Sequence, residues 1–178
     1  GRRQLISQIE RTGYNYVILP EDATPTGVIE TFEDAQKCAK LFREHWEEIK
    51  GIIVTLPNFG SEVGIINALK LSNLNVPVLI HAFDDDIDKV DVAHRRDAFC
   101  GKLSVCNNLY QYGIPFTDTT YHTCPIQSEL FERDLEFFAG VCRVVTGLRN
   151  ARIGAIGARP APFQTIRISE KLLQDAGI

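Results

Sequence analysis

Three stretches of the chain carry side chains whose types and spacing could do chemistry. Leu56-Pro57-Asn58-Phe59-Gly60-Ser61-Glu62 leads from an apolar run into a helix start. Backbone N–H groups there, helped by the helix dipole, can hold a phosphate, a carboxylate or a sugar oxygen. The loop is neither a P-loop nor a GxGxxG turn, so neither nucleotide fingerprint applies. The plainer alternative is a capped strand–helix loop with Ser61 as the cap.

The second stretch, Arg95 to Tyr110, reads as a helix unusually rich in polar groups, with Arg96, Lys102, Asn107 and Asn108 among them. Helical spacing brings Cys100, Ser104, Asn107 and Asn108 along one side. Paired amides satisfy sugar hydroxyls or neighbouring loop carbonyls equally well. Gly101 inside that helix costs about 1 kcal/mol relative to Ala and calls for a reason, such as close approach of another backbone or a ligand. The alternative is a helix packed between subunits or domains. In the third stretch, Gly154 to Pro160, glycines permit close approach and Arg159 offers a fork to an anion or a hydroxyl-rich partner. Its alternative is a turn whose Arg holds a carboxylate of another domain.

Other clusters carry less. Asp84, Asp85, Asp86 and Asp88 lack the Gly and terminal Glu of a calcium loop and read as solvated, helix-capping carboxylates. A thiol enzyme would pair Cys100 or Cys124 with His122 or His94, but no nucleophile context surrounds either thiol. His45, His81, His94 and His122 are far apart and form no HxxxH or HxH pair, so no complete metal site is expected in the chain. No residue is assigned a catalytic role.

These stretches must be held by regular elements. Apolar periodicity predicts helices at about 2–12, 31–49, 61–71, 95–112, 128–148 and 165–174. Strands are expected at 16–19, 52–56, 76–82 and 153–156, with a β-rich stretch at 115–122. Thr31 with Asp34 is a variant capping box. Short apolar strands alternating with helices imply an α/β fold, Rossmann-like or flavodoxin-like, with a mainly parallel sheet and helices on both faces. Ligands in such sheets gather at the carboxyl ends of the strands. That edge includes the loops named above.

The chain has 178 residues, 44% hydrophobic and 24% charged, with net charge −4. It is long enough to bury a core without disulfides or a metal. Its mild acidity argues against nucleic acid or an anionic membrane as main partner, and no apolar run reaches the ~20 residues of a membrane span. Five cysteines without CxxC, and no signal peptide, fit reduced thiols and a cytoplasmic protein. Cys38, Cys106 and Cys142 read as core positions.

Several blocks together resemble the L-fucose/L-arabinose isomerase family, in its fucose-isomerase-like branch. They are Leu56-Pro57-Asn58-Phe59-Gly60, Arg95-Arg96-Asp97-Ala98-Phe99-Cys100-Gly101-Lys102, Ser104-Val105-Cys106-Asn107-Asn108-Leu109, Gln111-Tyr112-Gly113-Ile114-Pro115-Phe116 and Ile153 to Pro160. The resemblance spans essentially the whole chain and implies the N-terminal region of an aldose–ketose isomerase. It further implies a divalent cation such as Mn²⁺, with acid–base carboxylates beside it, in later domains. Residues 1–150 are then the N-terminal α/β domain, and 151–178 the first strand–helix unit of a truncated following domain. The opening helix without a leading strand fits a fragment. The chain alone is expected to be inactive and to bind no cofactor. Its expected partners are a small sugar, the remaining domains of the parent and further copies in a homo-oligomer. Asn58, Phe59, Arg96, Lys102, Asn107, Asn108 and Arg159 are the expected sugar contacts. The reading from another class is a stand-alone sugar-binding or regulatory module.

Overall fold

The computed structural model describes residues 1–157 and 159–178. Its elements in chain order are α1 (Arg2–Arg11), α2 (Phe32–Glu44), β1 (Ile52–Leu56), α3 (Glu62–Ser72), β2 (Val78–Ala82), α4 (Ala98–Gln111), β3 (Thr117–Asp118), α5 (Glu129–Arg149) and α6 (Glu170–Asp175). The strands form one parallel sheet in the order β1-β2-β3, with Ile52 opposite Val78 and Leu79 opposite Thr117. The fold is α/β.

Strand periodicity decides which helices cover which face. Ile52, Leu56, Val78, Ile80 and Ala82 point to one side and pack with Ile66 of α3 and with Ala98, Val105 and Leu109 of α4. Ile53 and Leu79 point to the other side, against Phe138 and Cys142 of α5. There Leu5 of α1 also packs, with Phe83, Phe131 and Leu135. Every residue of β2 is buried, as the central strand of a sheet covered on both faces requires. Helices therefore lie on both faces.

Local signals set the helix starts. Thr31 accepts from the Asp34 N–H at 3.1 Å, and the Asp34 carboxylate accepts from the Thr31 N–H at 3.1 Å, closing the expected capping box. That backbone N–H is the main cause holding the Asp34 carboxyl below its ordinary value. We expect Thr31→Ala to cost about 1 kcal/mol, read as a lower urea midpoint at unchanged slope. Helix α2 stops at Glu44, short of the expected residue 49, where His45 leaves the helical conformation.

The sheet is smaller than the apolar runs predict. Residues 16–19 form no strand. Val17 and Leu19 turn into the core while Tyr16 and Ile18 stay half exposed. The Leu19 carbonyl, which a ladder would use, accepts instead from the Arg2 guanidinium, and so does Gly27 O at 3.2 Å. The stretch 115–122 contributes only Thr117–Asp118. Residues 153–156 form no strand: Ile153 and Ile156 are exposed, and a lone strand has no neighbour to satisfy its backbone. The helix expected over 165–174 is confined to Glu170–Asp175.

Candidate functional site

The carboxyl ends of β1, β2 and β3 open into the loops 57–61, 83–97 and 119–128, and these build one edge of the domain. Ser61 caps α3 by accepting from the Gly64 N–H at 3.1 Å, and its hydroxyl donates to Glu30 O at 2.8 Å. Opposite, α4 presses on the same loop. A Cβ on Gly101 would stand 2.1 Å from Phe59 O and 2.6 Å from Phe59 Cα. The mid-helix glycine thus has its reason, the close passage of the Phe59 backbone. With that backbone clamped, the Asn58 and Phe59 side chains stay exposed at the edge.

The second loop is organised by its own carboxylates. Asp85 accepts from Ala98 N at 2.9 Å and Phe99 N at 3.0 Å, so it caps α4 from thirteen residues upstream. Asp97, with φ 55°, turns the chain into the helix, and its carboxylate pairs with Arg95 at 2.8 Å. Arg96 remains exposed beside this loop, close enough to Asp86 to help lower that carboxyl, though Lys89 is its main partner. The acidic run therefore serves caps and turns. Among the described residues no three His, Cys, Asp or Glu side chains come together as a metal-ligand set.

The third loop is tied to α4 by a buried charge. Lys102 has no exposed surface, and its ammonium donates to Thr119 Oγ1 at 2.7 Å and Asp118 Oδ1 at 2.5 Å. Thr119 passes the link on, donating to Tyr121 O at 2.7 Å. His122 follows: its Nε2–H donates to Phe99 O at 2.9 Å, and its ring lies 4.3 Å from that of Phe99. Phe59, Phe99 and His122 thus give the edge an aromatic character. Thr119→Val removes an acceptor from a fully desolvated ammonium, and we expect a loss of roughly 2 kcal/mol in denaturant unfolding.

Below the edge, His81 of β2 is fully buried. Its Nδ1 takes a hydrogen bond from Thr55 Oγ1 at 2.9 Å, and its Nε2–H donates to Cys124 O at 2.8 Å. Burial pushes its pKa down to about 4, so the ring is neutral. Both nitrogens are used, and this is a core histidine. Cys124 is buried as well, and desolvation pushes its thiol up to about 11. With His122 committed to Phe99 O, the His122–Cys124 pair is no nucleophile–base dyad. Cys38 and Cys142 are buried and Cys106 half-buried, as expected; Cys100 is exposed.

The expected sugar contacts divide into groups. Asn58, Phe59 and Arg96 lie in the loops of the carboxyl edge. Lys102 lies beneath it, facing Thr119. Asn107 is exposed and Asn108 half-buried on later turns of α4, roughly 9 Å along the axis from Gly101. Arg159 is in the segment after α5, exposed, donating to Phe163 O at 2.5 Å. The acidic run is expected to cap helices, and Asp85 does so for α4; reading the sequence missed the Phe99–His122 contact, which joins residues distant in sequence with no local pattern to mark it. Two open grooves, of about 450 and 360 Å³, lie on α5 and beside Trp46, away from Asn58, Phe59 and Arg96.

No curated protein and no solved structure matches the chain. A family model, described as the N-terminal domain of fucose/sulfoquinovose isomerase, matches residues 1–149. That match ends at the last residue of α5 and covers the sheet, its helices and the whole carboxyl edge, so the chain belongs to the fucose/sulfoquinovose isomerase N-terminal domain family.

Proposed function

We infer that this chain is the sugar-orienting domain of an aldose–ketose isomerase, inactive by itself, which walls the substrate pocket while the proton transfer occurs elsewhere in the parent. The observation that carries this reading is the clamped loop 57–61. Gly101 fixes the Phe59 backbone, and Asn58 and Phe59 project unencumbered from the strand edge where α/β sheets bind ligands. An amide and an aromatic ring suit a sugar: the amide serves hydroxyls in both directions, and the ring covers a C–H face. Arg96 adds donors from the neighbouring loop. Lys102 acts from below, as a positioning residue for the loop that carries His122. Asn107, Asn108 and Arg159 serve contacts with further domains or copies.

The described residues do not fit a divalent cation, because no ligand set converges among them. In this proposal Mn²⁺ or a similar ion, with the acid–base carboxylates, belongs to the remainder of the parent, and residues 151–178 begin that remainder. The substrate is an aldose of the kind the family description names, fucose or sulfoquinovose. A cytoplasmic setting is proposed from the unpaired cysteines; no helix among the described residues is long and apolar enough to cross a membrane.

The test is Asn58→Ala and Arg96→Ala in the longer isomerase that carries this domain. Loss of contacts shared by ground state and transition state raises KM with kcat little changed. Both residues are exposed, so the fold tolerates the change. Unaltered KM in both variants contradicts the reading.

A further inference from the structure

One long helix face has no partner among the described residues. On α5, Phe137 and Val144 are 67% and 60% exposed and with Val141 they line the shallow groove of about 450 Å³, while Leu148, 44% exposed, follows on the next turn. Single exposed apolar residues need no explanation, but an aligned stripe does. The spacing is a heptad spacing. Phe137 and Val144 are seven residues apart, and Gly140 and Gly147 follow each of them by three. In coiled-coil terms the large residues occupy a and the glycines d, with Val141 and Leu148 flanking at e.

Among the described residues nothing presses on those glycines. A Cβ on Gly147 would meet no atom within 4 Å, and one on Gly140 only the flexible end of Arg143, at 3.8 Å. The contrast with Gly101 is direct, since there a neighbouring backbone forbids a side chain. Glycine inside a helix is unfavourable, so Gly140, midway along α5 with only the end of Arg143 near it, points to a neighbour beyond the described residues. Gly147 in the last turn extends the same hollow.

The geometry points to a second copy of this chain as that neighbour, with α5 packed antiparallel on α5 about a two-fold axis. Antiparallel pairing sets each a position level with a d position of the other helix. Phe137 then sits opposite the partner subunit's Gly147, and Val144 opposite the partner subunit's Gly140. Each large side chain fills a hollow left by a glycine, and the face is its own complement, as a two-fold interface requires. Charge follows the same order. Glu129, Glu132 and Glu136 lie in the first half of α5, interrupted by Arg133, and Arg143 and Arg149 lie in the second. An antiparallel mate sets acidic half against basic half twice. Tyr14, 43% exposed, widens the patch, because Arg143 donates to its hydroxyl beside α5. One helix face falls short of the ~800 Å² per partner of a standard interface, so the dimer is expected to be concentration-dependent.

Sedimentation of the purified 178-residue chain over a concentration series is the test, with Val144→Glu and a control on another exposed helix, Leu103→Glu. Both sites are more than half exposed, and circular dichroism checks that each variant keeps its helix content. The expected result is that the chain and the control pass from one copy to two as concentration rises, while Val144→Glu stays a single copy. A chain that remains single throughout overturns the proposal, as does a dimer that Val144→Glu leaves intact or that Leu103→Glu breaks.

Discussion

Gly101→Ala is expected to destabilise the domain by roughly 3–4 kcal/mol, an effect well above that of a typical surface change. Helix propensity alone predicts the opposite sign, since Ala in a helix interior gains about 1 kcal/mol over Gly. Sterics decide it. The new Cβ would lie 2.1 Å from Phe59 O, which is backbone and cannot swing aside as a flexible side chain can. Either α4 moves off the sheet, uncovering Val105 and Leu109, or the loop 57–61 shifts and carries Asn58 and Phe59 with it. Urea unfolding of the variant reads the first outcome. In the longer isomerase, a raised KM reads the second. A variant with both stability and KM unchanged contradicts the clamp.

The second large effect is on acid stability. His81 is neutral in the fold, with its pKa pushed to about 4 from an ordinary 6.5, mainly by burial. The unfolded chain therefore takes up this proton first as pH falls. Stability attached to the neutral ring is fully present above about 6.5 and is lost progressively down to about 4, with no further loss from this group below that. The shift corresponds to roughly 3 kcal/mol over the window. Between pH 6.5 and 5 few carboxylates titrate, so the slope there is mostly that of His81. Unfolding free energies measured across this interval should fall with pH in the natural chain and stay nearly level in His81→Asn. Equal slopes in the two would remove His81 from the account.

How much of this was legible beforehand depends on the range of each interaction. The Thr31–Asp34 box, the Ser61 cap, strands β1 and β2 and the need for a neighbour at Gly101 follow from residues within a few positions of one another. The α/β class follows from the alternation of those elements. What the neighbour of Gly101 is, a loop backbone rather than a ligand, depends on how β1 and α4 stack. In the sequence Lys102 stands among the polar side chains of its helix, and lysine is seldom buried. Only the pairing of β2 with β3, which brings Asp118 and Thr119 beneath α4, turns its ammonium inward. The apolar run 16–19 has strand composition, yet Arg2 takes the Leu19 carbonyl, a competition that apolar periodicity cannot register. Asn58 and Phe59 are legible as loop residues at the carboxyl end of β1, whereas Arg96, expected on the first turn of a helix from 95, lies in the loop before α4, which begins only at Ala98.

On our proposal this domain orients a sugar for chemistry carried out elsewhere in its parent. Isomerase assays with Mn²⁺ and L-fucose or sulfoquinovose, run side by side on the 178-residue chain and on the longer protein that carries it, address that claim most directly. Ketose formation by the longer protein and none by the chain alone is the expected result. Turnover by the isolated chain would contradict it.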